Sequence, residues 1–228
     1  MAKPGPDPQA AAIPTPARLA AALGGHLPVA GQKIGLLGGS FNPGHQGHRH
    51  ISLEALKLLG LDEVWWLVSP QNPLKPPKGM APLAERLETA RAAARHPRIR
   101  ITAIERVLDT VYTAETLGRL VDRFPRVRFV WIMGADNLTQ VDRWQDWQEI
   151  FHLTPVAVFD RPTYSLRALA AKAARRFARE RLSGRRIAGL AAAEPPAWSF
   201  LYIRLNPLSA TDLRNRSGRN NRAMETKR

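Results

Sequence analysis

The apolar residues of this chain change repeatedly between the alternating spacing typical of strands and the spacing typical of helices. The apolar segments predict six strands, at 33–37, 63–69, 98–104, 127–133, 155–160 and 199–205. Helical patterns follow them, at 48–60, 82–95, 113–124, 143–151, 165–182 and 210–216. Strands that alternate with helices form right-handed βαβ units. We therefore expect an α/β fold, an open parallel sheet with helices on both faces.

Prolines and charge predict three regions. Residues 1–31 are rich in Pro and Ala, and we expect a disordered leader there, with a short helix at "ARLAAAL". The folded domain is expected to span residues 32–214, and residues 215–228 to form a basic, flexible tail. Within the domain, the helix predicted at 165–182 is amphipathic, and its inner stripe is Leu166, Leu169, Ala173 and Phe177.

The chain carries a formal net charge of +15, which raises the question of a nucleic-acid partner. Residues 165–186 and 214–228 together hold twelve of these fifteen excess charges. Proteins that grip nucleic acid more often interleave basic and aromatic residues over one surface. That pattern is absent from the sequence, so we expect no nucleic-acid partner and keep nucleic-acid binding only as an alternative.

The sequence contains neither a long apolar run nor a cysteine, and both absences restrict the functions that the protein can have. No apolar run approaches the roughly 18 residues of a membrane helix, so no membrane partner is expected. The chain has no cysteine, which excludes disulfides, thiolate metal sites and a cysteine nucleophile. A chain without cysteine fits a reducing compartment, and we expect a cytoplasmic protein.

The segment "GGSFNPGHQGH" (38–48) follows the first predicted strand, and open parallel sheets bind ligands beyond the carboxyl ends of their strands. Gly38 and Gly39 allow a ligand to approach backbone N–H groups, and Ser40 adds a hydroxyl. His45 and His48 share one face near the start of a helix, whose N-terminus attracts anions. The set suits phosphate oxygens and contains no group suited to covalent attack.

Other interpretations of this segment are less consistent with its spacing. The glycines do not match G-x-G-x-x-G, and no G-K-[ST] tripeptide begins the helix. A metal site formed by His45, His48 and His50 lacks a carboxylate at ligand spacing, so no protein-bound metal is predicted. The structural alternative is a pair of histidines that merely cap an ordinary turn.

Two segments resemble signatures of the HxGH nucleotidyltransferases. The first, "GGSFNPGHQGH", resembles G-[ST]-F-[DN]-P-x-H-x-G-H, and the second, "LSATDLR" (208–214), resembles I-S-S-T-x-I-R, with Ala210 as a mild departure. This resemblance implies a Rossmann-like sheet of the HxGH nucleotidyltransferase type. Other members of the superfamily transfer a nucleotidyl group to phosphopantetheine or transfer cytidylyl groups, and these activities remain alternatives.

Four segments between the two signatures are similar to the nicotinate-nucleotide adenylyltransferases of NAD biosynthesis: "NPLK" (72–75), "VYTAETL" (111–117), "IMGADNL" (132–138) and "DRWQDW" (142–147). The chain departs from that family at Leu74, where a histidine is usual, at Arg143, and after residue 214. The resemblance implies transfer of the adenylyl group of ATP to nicotinate mononucleotide, with release of pyrophosphate. Preference for the acid over the amide nucleotide and the presence of a homo-oligomer stay open.

The resemblance also implies roles for individual residues. His45 and His48 would be catalytic, and Mg²⁺ would be bound through the ATP phosphates. The residues implied in ATP binding are Gly38, Gly39, Ser40, Phe41, His45, His48, Ser209, Thr211 and Arg214. The residues implied in binding nicotinate mononucleotide are Lys75, Thr113, Asp136 and Trp144. Trp147 is expected in the core. A nucleotide sensor without catalytic activity is a further alternative.

Overall fold

The computed structural model describes residues 14–70 and 79–204. The strands of this part are β1 (Lys33–Gly39), β2 (Glu63–Val68), β3 (Ile99–Thr102), β4 (Arg128–Gly134), β5 (Val156–Phe159) and β6 (Trp198–Leu201). They form one six-stranded sheet in the order β3-β2-β1-β4-β5-β6, and every neighbouring pair is parallel. The predicted α/β, Rossmann-like architecture is therefore confirmed.

Helices cover both faces of the sheet. They are α1 (Pro16–Ala22), α2 (Gln46–Leu58), α3 (Leu83–Ala94), α4 (Ile104–Leu108), α5 (Thr113–Arg123), α6 (Ala135–Leu138), α7 (Trp147–Leu153), α8 (Ser165–Leu169) and α9 (Lys172–Arg176), with 3-10 helices at Val141–Arg143 and Gly184–Ala192. Residues of α2, α3 and the second 3-10 helix pack on one face, and those of α1, α4, α5, α7 and α9 pack on the other. Within the described ranges, no helix has both the length and the apolar character that a membrane crossing requires.

The strand order places a change of direction between β1 and β4. The chain first builds outwards from β1 to β2 and β3, and then outwards on the other side from β4 to β6. The connections on the two sides diverge, so a crevice opens at the carboxyl ends of β1 and β4, where ligands bind in sheets of this type. This topology positions the site described below.

Gly38 near the end of β1 makes room for the indole of Trp131 on the neighbouring strand β4. A Cβ added at Gly38 would lie 2.3 Å from Cη2 of Trp131, which is far closer than two carbon atoms can approach. Gly38 is thus needed for packing within the sheet, a reason that is independent of any ligand. The sequence interpretation considered only ligand approach.

The short helix predicted at "ARLAAAL" is present as α1, but the segment that contains it belongs to the folded domain. Leu19 and Leu23 are fully buried in the core beneath one face of the sheet. Arg100 on β3 also donates hydrogen bonds to the carbonyl oxygens of Leu23 and His26. A disordered leader over residues 1–31 is therefore wrong for residues 16–26, because apolar burial and these hydrogen bonds hold them against the sheet.

The single helix predicted at 165–182 is wrong, since the chain forms two short helices, α8 and α9, and then leaves helical geometry. Ala173 and Phe177 are buried as expected, whereas Leu166 is 86% exposed. Pairing with β6 accounts for the loss of helical geometry after α9: the N–H of Trp198 donates to the carbonyl of Glu180, and the N–H of Leu182 donates to the carbonyl of Trp198. Tertiary hydrogen bonds here override helical propensity.

Other differences from the sequence prediction are smaller. Helix α7 begins at Trp147 instead of residue 143, because Trp144 is extended and Asp146 has a positive φ of 49°. Helices α4 and α6 were not predicted, since each is too short to show a helical period. The helix predicted at 210–216 and the tail 215–228 lie outside the described residues.

We expect Gly38→Ala to destabilise the fold. A methyl group at this position overlaps the Trp131 ring, and overpacking of this kind costs about 1–3 kcal/mol. Urea denaturation followed by circular dichroism measures the free energy of unfolding. Gly189→Ala is the matched control, because Gly189 is exposed and a Cβ there meets no atom within 4 Å. Equal stability of the two variants would contradict the packing argument.

Candidate active site

The described site residues lie along the carboxyl edge of the sheet. Gly38 and Gly39 end β1, and Gly134 ends β4, which is the neighbouring strand across the crevice. Asp136 follows Gly134 in α6, and Thr113 begins α5. The ends of two adjacent strands, the helix that follows β4 and the start of α5, which precedes β4, therefore supply the candidate site residues at this edge of the sheet.

A tight turn joins β1 to α2. Phe41 has a positive φ of 47° and is buried, with 2% of its surface exposed. Its ring stacks on Trp66 with centroids 5.0 Å apart and contacts His48 with centroids 4.6 Å apart. Phe41 thus lies beneath the histidine as a packing platform, which is a structural reason for an aromatic residue in this motif.

The two histidines both accept hydrogen bonds from the backbone at the start of α2. His45 is the N-cap of the helix, and its Nδ1 accepts from the N–H of Gly47 at 3.0 Å. Nδ1 of His48 accepts from the N–H of His45 at 3.3 Å. In a neutral imidazole, a nitrogen that accepts leaves the proton on the other nitrogen. Both rings, whose centroids are 3.8 Å apart, therefore carry their proton on Nε2 and are hydrogen-bond donors there.

The capping alternative and the phosphate-binding interpretation are thus compatible, because they use different nitrogens of the same rings. His45 is buried and His48 is half-buried, so both donors lie in surroundings where a hydrogen bond is stronger than in water. The first turn of a 13-residue helix adds the positive end of its dipole. This arrangement can stabilise negative charge, but it offers no nucleophile.

His50 is separate from this pair. Its Nε2 lies 2.7 Å from the carbonyl oxygen of Arg204, so the ring is directed toward the segment after β6. Among the described residues, no cluster of three or more His, Asp or Glu side chains has the geometry to hold a metal ion. The described part of the chain therefore provides no protein cage for a cation.

Asp136 forms an ion pair with Arg161, which follows β5. Oδ1 of Asp136 lies 3.1 Å from Nε of Arg161. The pair is pressed against Gly134, since a Cβ at this glycine would lie 2.3 Å from Oδ1 and 2.6 Å from Nε. The resemblance implied that Asp136 binds nicotinate mononucleotide, but its partner Arg161 was missed. Its position directly after a buried strand was the signal available in the sequence.

Thr113 and Trp144 stand at the beginnings of two helices that pack together. Thr113 is the first residue of α5 and is half-buried, and Trp144 precedes α7. Trp144 is only partly buried and packs against the edge of the core. Trp147 is buried and makes edge-to-face contacts with Phe151 and Phe177, so its predicted core role is confirmed.

A buried arginine lies beneath the loops that follow β1 and β2. The side chain of Arg86, in α3, is 2% exposed and donates to four backbone carbonyl oxygens: those of Ser40, Ser69, Pro70 and Ala81. Burial lowers its pKa, and the charge of Glu105 opposes that change. Sequence reasoning missed this arginine, although its spacing to Ala90 and Ala94 places it on the buried face of the helix.

Glu105 is the acidic group that faces this arginine. Burial raises the pKa of its carboxyl group to about 7, while a hydrogen bond with Ser69 and the charge of Arg86 act in the opposite direction. The raised pKa favours the neutral form of the carboxyl group relative to an exposed glutamate. The guanidinium of Arg86 is therefore stabilised mainly by its hydrogen bonds to the four carbonyl oxygens, and less by an ion pair with Glu105.

Four of the predicted site residues, Lys75, Ser209, Thr211 and Arg214, lie outside the described residues. Their roles remain predictions from the resemblance. The described part of the candidate site thus comprises the loop after β1, the ends of β4 and β5, the beginning of α5 and the segment before α7.

A cytidylyltransferase-like family model matches residues 36–216. A protein of Cereibacter sphaeroides, called probable nicotinate-nucleotide adenylyltransferase, is 56% identical over 181 residues, which cover 79% of this chain and 96% of that protein. A protein of the same name from a Bradyrhizobium species is 55% identical over 186 residues, covering 82% of this chain and 97% of that one.

The fold is also similar to solved structures. The nicotinic acid mononucleotide adenylyltransferase of Plasmodium falciparum, in its complex with NaAD, matches with a TM-score of 0.60 at 14% identity. The match covers 81% of this chain and 83% of that one, and at this identity it supports the fold alone. With the family model and the bacterial relatives, the conclusion is direct: the chain belongs to the cytidylyltransferase-like family and, within it, to the nicotinate-nucleotide adenylyltransferases.

Proposed function

We propose that this protein transfers the adenylyl group of ATP to nicotinate mononucleotide, giving deamido-NAD and pyrophosphate. The observation that carries the proposal is the histidine pair at the start of α2, in which the backbone bonds at Nδ1 place the ring protons on Nε2. Donors of this kind suit a triphosphate. The bacterial relatives, at 55–56% identity, support nicotinate mononucleotide as the acceptor.

In this reaction the phosphate of the mononucleotide attacks the α-phosphorus of ATP and pyrophosphate leaves. The nucleophile belongs to the substrate, so the protein contributes positioning and charge stabilisation. We assign to His45 and His48 hydrogen bonds to the triphosphate, with His48 donating where negative charge grows at the α-phosphate and the leaving oxygen. Gly38, Gly39, Ser40 and Phe41 shape the loop that receives the nucleotide.

The acceptor is assigned to the opposite side of the crevice. Trp144 and Thr113 are both half-buried, and we assign the ring of Trp144 to the pyridine and the hydroxyl of Thr113 to its carboxylate. Asp136, held by Arg161, accepts hydrogen bonds from ribose hydroxyls through its carboxylate. These assignments place an aromatic face and a hydroxyl around the ring, and carboxylate oxygens near the sugar.

The remaining assignments concern the residues that bind the phosphate groups of the two substrates. We assign Ser209, Thr211 and Arg214 to the ATP phosphates and Lys75 to the mononucleotide phosphate, as the family motifs imply. The described residues contain no cluster suited to a cation, so Mg²⁺ is assigned to the ATP phosphates and no step is attributed to it. We also propose a cytoplasmic location.

The direct test is to mix the purified protein with ATP, Mg²⁺ and nicotinate mononucleotide and to follow pyrophosphate. We expect rapid release with this acceptor and little with phosphopantetheine, or with CTP in place of ATP. Nicotinamide mononucleotide in a parallel reaction measures the preference between acid and amide. Absence of release, together with salt-sensitive binding of RNA, would favour the nucleic-acid alternative.

His48→Ala is expected to lower kcat about 10²–10³-fold with little change in KM for ATP, since it removes a donor that acts mainly in the transition state. Initial rates of pyrophosphate release measure both constants. His48→Gln tests the structural part of the role, because glutamine at this helix position can still accept from the N-cap N–H.

His152→Ala is the matched control for this experiment. His152 is exposed in the last turn of α7, immediately before β5, and so lies toward the opposite edge of the sheet. The kcat of the His152→Ala variant should equal that of the wild-type protein. A large rise in KM with unchanged kcat in His48→Ala would contradict the transition-state role.

Trp144→Ala is expected to raise KM for nicotinate mononucleotide and to leave KM for ATP nearly unchanged. Loss of an aromatic stacking contact costs about 0.5–1.5 kcal/mol, or roughly 2- to 12-fold. Trp144→Phe keeps a flat face and should recover most of the affinity. The exposed neighbour Gln145 provides the control Gln145→Ala. Equal changes in both KM values would count against a specific contact with the pyridine.

A further inference from the structure

The guanidinium of Arg86 connects three segments that meet at the carboxyl edge of the sheet. Its Nη1 donates to the carbonyl of Ser40, after β1, and to the carbonyl of Ser69, after β2, both at 2.7 Å. Its Nη2 donates to the carbonyl of Pro70 at 2.9 Å, and its Nε to the carbonyl of Ala81, before α3, at 2.9 Å. One planar cation therefore fixes the spacing between the loops that follow two adjacent strands.

The chemistry of the arginine matters for this arrangement. Burial of a charged group is costly unless it is hydrogen-bonded, and the four bonds occupy four of the five N–H donors of Arg86. A lysine at this position carries the same charge, but its three donors share one atom and cannot reproduce the planar fork. The segments are thus held by the shape of the guanidinium as well as by its charge.

The loop held by Arg86 leads directly to the histidine pair. Ser40, whose carbonyl Arg86 binds, precedes Phe41, which has a positive φ and contacts the ring of His48. The N–H of Ser69 also donates to the carbonyl of Gly39 at 3.0 Å, so the loop after β2 is bonded to the end of the strand from which the histidine-bearing loop begins. A shift of Ser40 is therefore expected to move Phe41, and with it the imidazole of His48.

We propose that Arg86 is a positioning residue for adenylyl transfer, which holds the histidine-bearing loop after β1 at a fixed distance from the loop after β2. It touches neither substrate and acts through the carbonyl oxygens of Ser40, Ser69 and Pro70. This inference rests on the proposed function. It adds a residue on α3 that none of the sequence motifs contains.

The test compares Arg86→Lys with Arg91→Lys, which makes the same change at an exposed position of the same helix. Rates are measured at a temperature where circular dichroism shows both variants to be fully folded. We expect kcat of Arg86→Lys to fall about 10- to 100-fold with a smaller change in either KM, since misplacement by about 1 Å can cost about 10²-fold. Arg91→Lys should match the wild type.

Hydrogen exchange measured by mass spectrometry gives a readout that does not depend on activity. In Arg86→Lys, peptides that contain residues 39–48 should exchange faster, while peptides from β4 and β5 should not change. A second variant, Arg86→Ala, leaves space for a small cation, and millimolar ethylguanidinium should restore part of its kcat. Ethylammonium, which has the charge without the fork, should not.

The outcomes separate this inference from the proposed function. A folded Arg86→Lys protein with wild-type kcat and unchanged exchange in residues 39–48 would overturn the positioning role. If the wild-type protein itself released no pyrophosphate with nicotinate mononucleotide, the proposed function would fail. The exchange of residues 39–48 would then still decide whether Arg86 holds the loop.

Discussion

The central position of β1 is the constraint on which the rest of the molecule depends. This strand is hydrogen-bonded in parallel register to β2 on one side and to β4 on the other. The tight fit requires glycine at 38, because a Cβ there would overlap the indole of Trp131 on the neighbouring strand β4. The direction of the chain changes beside this strand, so its carboxyl end opens into the crevice.

The histidine pair shows how one group can serve both the fold and the chemistry. Each imidazole uses Nδ1 to accept a backbone N–H at the helix start, which satisfies a donor that would otherwise lack a partner. The same bond fixes the tautomer and so makes Nε2 a donor. A capping serine or aspartate would satisfy the backbone equally well, but it would provide no ring N–H for a phosphate.

The sequence predicted the parts of this structure that depend on local pattern. All six strands were expected from apolar segments, and the motif after β1 was expected at the edge where it lies. The end of the helix predicted at 165–182 was misplaced because the pairing of residues 180–182 with β6 is a long-range effect. Arg86 and Arg161 were missed for a similar reason, since their partners are 5 to 46 and 25 residues away in the chain. The spacing of neighbouring residues in the sequence does not show which residues that are distant in the chain will pair.

The position of Arg86 also bears on the charge of the crevice. Parallel strands present the carbonyl ends of their peptide dipoles at the edge where the site lies, and exposed carbonyl oxygens repel an anionic nucleotide. Arg86 binds the carbonyls of Ser40, Ser69 and Pro70 and so offsets this negative partial charge beneath the loops. Since burial raises the pKa of Glu105 to about 7, the nearby carboxyl group cancels only part of the cation at neutral pH. Arg86 therefore lessens the negative partial charge beneath the loop to which we assign the ATP phosphates.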